Sequence, residues 1–229
     1  MKQLKENNTC IVIPARFGSS RLPGKPLAMI AGQTMLSRVV AIAKTAIQAS
    51  PSMQNIELLV ATDDARISAH CDELSVTSVM TPKECPTGTD RALAAIQTAK
   101  LNPDFILNLQ GDAPLTPPEF IISLIQAIQS APSNIDLLTP VSQLSFEALD
   151  TLRENKHTTP FSGTCALLDK YDQAIWFSKQ IIPAIRDEKK LRQSQNISPV
   201  FRHFGLYAYS RDLLEQYVTW APSHYETLE

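Results

Sequence analysis

A loop rich in cations and small residues follows the first apolar run of the chain. Residues 14–27, which we call the phosphate loop, read PARFGSSRLPGKPL and carry two arginines and a lysine but no acid. Small residues let backbone N–H groups approach an anion closely, and the cations can neutralise it. The loop matches neither GxxxxGK[ST] nor GxGxxG. A solvated turn is the alternative, but the position directly after a buried strand favours a polyphosphate site.

A carboxylate with no evident structural duty lies in a second segment, residues 108–114 (NLQGDAP). Thr116 and Glu119 have the spacing of a capping box for the helix that follows, so Asp112 is not needed as its cap. Mg²⁺ in proteins is commonly held by one or two carboxylates together with substrate phosphates and water. Asp112 is therefore a candidate Mg²⁺ ligand, with a simple turn residue as the alternative.

Other polar segments are less informative. Residues 87–91 (TGTDR) open a helix and read first as a helix cap, and Asp63 follows an apolar run without a clear role. The four histidines share no metal-ligand spacing, and no GxSxG motif marks a hydrolase.

Composition narrows the class of protein. The 229 residues are 44% hydrophobic and 19% charged with a net charge of −2, which excludes a disordered chain and gives no global attraction to nucleic acid or an anionic membrane. Four widely spaced cysteines form no CxxC pair, and no apolar run reaches the ~20 residues that a membrane span needs. We expect a cytoplasmic protein.

The elements that must position these residues alternate between strands and helices. Apolar runs predict strands at 10–14, 56–61, 76–80, 104–109 and 135–141. Helical spacing and candidate caps at Thr34, Thr89 and Thr116 predict helices at 35–49, 65–74, 90–100 and about 117–129. This alternation predicts an α/β fold with a mostly parallel sheet covered on both faces, and ligands then bind beyond the carboxyl ends of the strands.

The alternation breaks down after about residue 142. Shorter apolar pieces follow at 164–168, 174–178 and 201–209, a polar stretch at 186–198 reads as a mobile loop, and a last helix is expected at 212–220. We therefore predict a larger α/β lobe over residues 1–142, which carries the phosphate loop, and a smaller mixed lobe over residues 143–229, continuous with the first as one compact domain.

Seven segments, in this order, make the chain resemble the 3-deoxy-manno-octulosonate (Kdo) cytidylyltransferases. They are IPARFGSSRLPGKPL at 13–27, VATDD at 60–64, TGTDR at 87–91, NLQGDAP at 108–114, RHFGLYAYSRDLL at 202–214, WAPS at 220–223 and LE at 228–229. The phosphate-loop and QGD segments also resemble the CMP-sialate relatives, while the last three point to the Kdo branch.

The resemblance implies an enzyme that joins CTP to the anomeric hydroxyl of an acidic eight-carbon sugar, giving a CMP-sugar for lipopolysaccharide biosynthesis and pyrophosphate. It also implies a Rossmann-like, glycosyltransferase-A-like nucleotidyltransferase fold, Mg²⁺ as cofactor, and a homodimer built through the second lobe, which also binds the sugar. Neither nucleic acid nor membrane is an expected partner. A sialate-type or other sugar-acid nucleotidyltransferase and a non-catalytic nucleotide-binding homologue are the alternatives.

The resemblance also assigns residues. Arg16, Lys25 and Asp112 are the expected catalytic residues, with Asp112 as the metal ligand. The expected nucleotide-binding residues are Ala15, Arg16, Ser19, Ser20, Lys25, Thr87, Arg91 and Gln110. The expected sugar-binding residues are Arg186, His203, Tyr207 and Glu226.

Three departures from the family pattern stand out. Ala113 replaces the glutamate of the usual QGDEP, and Cys165 aligns with a family lysine expected near the sugar. The loss of a cation there suggests the 8-amino analogue of Kdo as a possible substrate. The sequence also ends at Glu229, short of a family segment that carries a second metal-ligating aspartate.

Overall fold

The computed structural model describes residues 8–18, 22–50, 56–132 and 134–225. The chain divides into two compact units, the first formed by residues 1–138 and 206–229 and the second by residues 139–205. The predicted boundary at residue 142 lies four residues beyond Leu138, where the first segment of the first unit ends. The predicted second lobe does not continue to residue 229, because residues 206–229 belong to the first unit.

The first unit is built on a six-stranded sheet in the order β5-β4-β1-β6-β12-β7, with a separate hairpin, β2-β3. Its strands are β1 (Thr9–Ala15), β2 (Met29–Ile30), β3 (Gln33–Thr34), β4 (Ile56–Thr62), β5 (Thr77–Met80), β6 (Phe105–Asn108), β7 (Leu137–Leu138) and β12 (Tyr207–Ser210). Strands β5, β4, β1 and β6 are mutually parallel, and β12 pairs antiparallel with β6 and β7. The predicted mostly parallel sheet is confirmed.

Helices cover both faces of this sheet. They are α1 (Met35–Gln48), α2 (Ala65–Glu73), α3 (Gly88–Thr98), α4 (Pro118–Ser130) and α7 (Arg211–Tyr217). Ile11 and Ile13 of β1 pack with α1, α2 and α4, whereas the alternate residues Cys10 and Val12 pack with α3 and α7. Side chains alternate along a strand, so a strand buried on both faces needs the continuous apolar run that the sequence shows.

The second unit contains a four-stranded sheet in the order β10-β9-β11-β8. Its elements are β8 (Val141–Ser145), α5 (Phe146–Thr158), β9 (Cys165–Leu168), β10 (Ala174–Ser178), α6 (Glu188–Ser194) and β11 (Ile197–His203). The pairings are antiparallel, and α5 packs on a small core that includes Leu144, Leu149 and Val200. None of the helices in the described ranges is both long and apolar enough to cross a membrane.

Several local predictions need correction. The run 135–141 is not one strand, because its residues contribute to β7 in the first unit and β8 in the second. The stretch 186–198 is not a loop throughout, because it contains α6 and the start of β11. Helix α6 buries none of its residues; Arg153 and Arg192 instead join Asp150 of α5 to Glu188 of α6.

Candidate active site

A cavity of about 460 Å³ opens in the first unit beyond the carboxyl ends of β1 and β6. It is lined by Pro14, Ala15, Arg16, Leu22, Lys25, Pro26, Cys85, Pro86, Thr87, Gly88, Arg91, Gln110, Gly111 and Asp112. Residues 14–26 and residues 110–112, which are more than eighty positions apart in sequence, thus meet at one place. The parallel pairing of β1 with β6 explains this, since both strands end at the same edge of the sheet.

Lys25 and Asp112 form an ion pair at this cavity. The Lys25 ammonium donates to Asp112 Oδ2 at 2.7 Å, and the two side chains are 33% and 55% exposed. Lys25 begins a short 3₁₀ helix, Lys25–Leu27, behind Gly24 in the left-handed region (φ 70°). Arg16, immediately after β1, is exposed beside them. The arrangement offers cations to a polyphosphate and a carboxylate to a metal ion.

Gly111 explains how Asp112 reaches this position. A Cβ at residue 111 would lie 2.5 Å from the carbonyl oxygen of Pro14, at the end of β1. Only glycine allows so close an approach between the two backbones. The Ala113 N–H donates to the Gln110 carbonyl at 3.1 Å, so the segment turns sharply and presents Asp112 to the cavity.

Asp112 has one carboxylate oxygen that could ligate a metal ion. Lys25 occupies Oδ2, while Oδ1 makes no hydrogen bond to another described residue. No group of three or more His, Cys, Asp or Glu side chains that could hold a metal occurs in the ranges that the structure describes. A Mg²⁺ ion completed by substrate phosphates and water fits this donor set.

The first turn of α3 forms another part of the cavity. Thr87, not Thr89, is the N-cap: its hydroxyl accepts from the N–H groups of Thr89 and Asp90, and the Asp90 carboxylate accepts from the Thr87 N–H. The prediction of Thr89 as the cap was wrong by two residues. Gly88 next to it lies against Gln110, whose Oε1 would be 3.1 Å from an added Cβ.

The capping box predicted at Thr116 is also absent. Helix α4 has Pro117 as its N-cap without a side-chain hydrogen bond, and the Thr116 hydroxyl donates backwards to the Ala113 carbonyl at 3.0 Å. Asp112 does not cap this helix either, since its carboxylate pairs with Lys25.

Arg91 lines the cavity with an almost fully buried side chain, 2% exposed. Its guanidinium donates to Thr81 Oγ1 at 2.6 Å, to the Pro82 carbonyl at 3.2 Å and to Asp63 Oδ2 at 3.3 Å. These three acceptors satisfy a buried charge that would otherwise be costly. Arg91 therefore braces the cavity wall as well as bordering it.

Gln110 is oriented by a neighbour that the sequence analysis did not single out. Its Nε2 donates to Asn108 Oδ1 at 3.3 Å, and Asn108, which is fully buried, donates in turn to Thr89 Oγ1 at 3.3 Å. Gln110 Oε1 is thereby left as the acceptor end of the amide. Asn108 lies at the end of β6, which is the signal that could have identified it.

The structure does not gather the expected sugar-binding residues at this cavity. Arg186 and His203 belong to the second unit and Tyr207 to the first, and none of the three lines the cavity. His203 Nε2 bonds to the Thr139 hydroxyl at 2.8 Å, while burial, assisted by the charge of Lys179, lowers the pKa of His203. Burial, assisted by Tyr217, raises the pKa of Tyr207.

Three of the expected residues lie outside the described ranges. They are Ser19 and Ser20 of the phosphate loop and the sugar-lobe residue Glu226. Their assignments stay predictions.

Cys165 lies in the hydrophobic core of the second unit. Its side chain is fully buried in the core of the second unit, together with Leu149, Leu152 and Val200. This buried position gives no support to the argument that a lost cation at residue 165 favours an amino sugar, and that preference stays a prediction.

Comparisons with known proteins agree with the geometry. A family model described as Cytidylyltransferase matches residues 10–229. The 3-deoxy-manno-octulosonate cytidylyltransferase of Maricaulis maris (strain MCS10) is 40% identical over 218 residues, covering 95% of this chain and 79% of that protein. The protein of the same name from Acinetobacter baumannii (strain SDF) is 38% identical over 221 residues, covering 96% and 81%.

A solved structure is similar over the same extent. It is described as CMP:2-keto-3-deoxy-manno-octonic acid synthetase complexed with CTP, and it matches with a TM-score of 0.78 at 32% sequence identity. The match covers 96% of this chain and 81% of the other.

Proposed function

Since this chain belongs to the cytidylyltransferase family, we propose that it joins the CMP part of CTP to 3-deoxy-manno-octulosonate and releases pyrophosphate. The observation that carries this proposal is the cavity where Arg16, Lys25, Gln110 and Asp112 meet. The names of the relatives favour Kdo over a sialate or another sugar acid. The product would serve lipopolysaccharide biosynthesis.

The chemistry asks the protein for positioning and charge neutralisation. The anomeric hydroxyl of the sugar attacks the α-phosphorus in line, one P–O bond forms, and the bond to the departing pyrophosphate breaks. Arg16 and Lys25 offset negative charge on the phosphates. Because the Lys25–Asp112 ion pair is partly exposed to water, Lys25 can exchange its contact with Asp112 for a contact with a substrate phosphate. We assign no side-chain base to the hydroxyl proton.

Magnesium is proposed as the cofactor, with Asp112 as its protein ligand. Bound Mg²⁺ would neutralise phosphate charge and lower the pKa of a coordinated hydroxyl. The test is pyrophosphate release with CTP and Kdo at increasing Mg²⁺ and after chelation. Activity that survives chelation would contradict the assignment.

The central experiment measures pyrophosphate release and identifies the product by mass. CTP with Kdo should yield CMP-Kdo, whereas UTP, or a sialate in place of Kdo, should react at least about tenfold more slowly. CTP binding without product would favour the non-catalytic homologue. Direct competition between Kdo and its 8-amino analogue should favour Kdo, since the buried Cys165 gives no reason for the other preference.

We further propose that the chain is a homodimer joined through its second unit. Edge strand β10 exposes three large apolar side chains, Ile175 at 59%, Trp176 at 53% and Phe177 at 38%. Exposed apolar patches on sheet edges commonly mark association surfaces. Light scattering should give twice the chain mass of 25.3 kDa, and Trp176→Lys should halve it.

The cytoplasm is the proposed compartment. All four cysteines are free in the structure, as expected for a reducing environment. Cell fractionation with an antibody to the chain tests this, and recovery from the periplasm would contradict it.

A further inference from the structure

Two consecutive carboxylates that the proposed chemistry does not use, Asp63 and Asp64, follow strand β4 and act on one residue of the phosphate loop. Asp63 Oδ1 accepts from the Phe17 N–H at 3.1 Å, and its other oxygen pairs with Arg91 Nη2 at 3.3 Å. The Asp63 side chain is 11% exposed and that of Arg91 2%. Asp63 therefore connects the phosphate loop to a buried charge below the cavity.

Asp64 acts on the ring of the same phenylalanine through Arg66. The Arg66 guanidinium lies 3.5 Å from the centroid of the Phe17 ring. Asp64 holds that guanidinium with two hydrogen bonds, from Nε at 2.9 Å and from Nη2 at 2.8 Å. A cation over an aromatic face is attracted to it, so Arg66 restrains the ring.

The carbonyl of Phe17 is also engaged. It accepts from the Gly24 N–H at 2.9 Å, and a Cβ at Gly24 would lie 3.0 Å from the ring. The N–H, the carbonyl and the ring of Phe17 are thus all held. Arg16 immediately precedes Phe17 and Lys25 immediately follows Gly24, so these contacts fix the backbone next to both cations of the site.

We propose that Asp63 is a positioning residue for the cytidylyl transfer, acting through Phe17, with Asp64 and Arg66 supporting the same contact. Its task is to keep Arg16 and Lys25 where they meet the triphosphate. This inference rests on the proposed function. It assigns a role to the segment VATDD that its sequence leaves open.

A purely structural role for Asp63 makes a different prediction. If the carboxylate only neutralised Arg91, its replacement would lower stability and leave the kinetics of the folded enzyme unchanged. A positioning role changes the use of CTP specifically, because a displacement of about 1 Å in a reacting group can cost up to about 100-fold in rate.

The experiment compares three variants of the full chain by steady-state pyrophosphate release. Asp63→Ala removes the acceptor of the Phe17 N–H together with the charge opposite Arg91, and it should lower kcat/KM for CTP about 10- to 100-fold. Arg66→Ala removes an exposed side chain and should lower it about threefold to tenfold. KM for Kdo should stay within about twofold in both. Asp72→Asn, an exposed acid on the same helix as Arg66, is the matched control and should behave like the wild type.

Hydrogen exchange in the absence of substrates gives a second readout. Peptides containing Phe17 and Gly24 should exchange faster in Asp63→Ala and Arg66→Ala than in Asp72→Asn. Wild-type kcat/KM for CTP in both variants, or unchanged exchange in these peptides, would overturn the inference. If Asp63→Ala does not fold, Arg66→Ala decides by the same criteria. A wild-type chain that releases no pyrophosphate contradicts the proposed function alone, because the exchange comparison needs no turnover.

Discussion

Asp112 combines an exposed carboxylate with a partner that is also partly exposed. Exposed ion pairs contribute about 0–1 kcal/mol to folding, so Asp112→Asn should leave the melting temperature nearly unchanged. Turnover should fall at least ~10²-fold, the scale for removing a major electrostatic group from an active site. Pyrophosphate release and thermal melting are the measurements. Glu119→Gln, also exposed and seven residues further on, is the control; equal turnover in the two variants would remove Asp112 from the site.

Arg16 and Lys25 of the phosphate loop allow a similar comparison. Lys25→Ala and Arg16→Ala should each raise KM for CTP about tenfold or more, because a charged hydrogen bond contributes about 1.5–3 kcal/mol. Both side chains lie in a loop outside the core, so melting should shift little. A variant that melts early while its folded fraction keeps normal kinetics would show that the residue is structural.

For single residues, the sequence predicted which side chains line the cavity better than it predicted what each of them contacts. Arg16, Lys25, Gln110 and Asp112 do line one cavity. The partners of Arg91 could not be predicted, because Thr81 and Asp63 become its neighbours only when β4, β5 and α3 pack together. A side chain's hydrogen bonds depend on residues distant in sequence, whereas its place at a strand end depends on local pattern.

The turn after β6 is the element on which the site depends most closely. Gly111→Ala would place a Cβ 2.5 Å from the Pro14 carbonyl, so the turn must move away from β1. We expect a destabilisation of about 1–3 kcal/mol, the usual cost of overpacking, together with a loss of turnover as Asp112 is displaced. Denaturant unfolding and pyrophosphate release measure the two effects.

Gly205→Ala is the matched control for this substitution. An added Cβ there meets no atom within 4 Å, and no positive φ makes the backbone unsuitable for alanine. It should unfold at the wild-type denaturant concentration and retain turnover. If Gly111→Ala behaves in the same way, the close approach of the two backbones does not position Asp112.

Among the elements, the strands that are buried on both faces were predicted well. Helix α6, which forms ion pairs with α5, was not predicted. Strands β1, β4 and β6 show continuous apolar runs, and Thr34 caps α1 as expected. Helix α6 has no apolar face to reveal it, since it is joined to α5 through the charged pairs of Arg153 and Arg192. A polar stretch of that composition looks the same in sequence whether or not its charges find partners.

At the scale of the whole molecule, two buried weak acids predict how stability changes at alkaline pH. Burial raises the pKa of Cys10 to about 12 from an ordinary 9.0, and the charge of Glu57 adds to this. Burial also raises the pKa of Tyr209 to about 12 from 10.0. Between about pH 9 and pH 12 the unfolded chain binds fewer protons than the folded chain. The contribution of these groups to stability is therefore full below about pH 9 and declines towards pH 12.

The variant Tyr209→Phe distinguishes the contribution of Tyr209 to this loss of stability from that of Cys10. Its stability should decline less steeply than that of the wild type between pH 10 and 12, because the linked proton of Tyr209 is gone. Denaturant midpoints across this range are the measurement. Tyr171→Phe, which alters an exposed ring, should decline in parallel with the wild type; parallel curves for both variants would refute the linkage to Tyr209.

The division of the chain was predicted only in part for a reason that belongs to this scale. The change of pattern near residue 142 marks the start of the second unit, which begins at residue 139. The return at residue 206 has no such marker, since the single apolar piece predicted at 201–209 spans both the end of β11 and most of β12. Only the pairing of β12 with β6, about a hundred residues earlier in the chain, shows that the last segment completes the first sheet.

That pairing gives the order of protein synthesis a physical consequence. The ribosome synthesises β6 long before β12. The growing chain therefore has a sheet without β12 while all of residues 139–205 are made. During that interval one edge of β6 has unpaired N–H and C=O groups next to apolar residues, the arrangement most open to misassociation with other chains. A nascent chain of this design is therefore most in need of a chaperone just before β12 emerges.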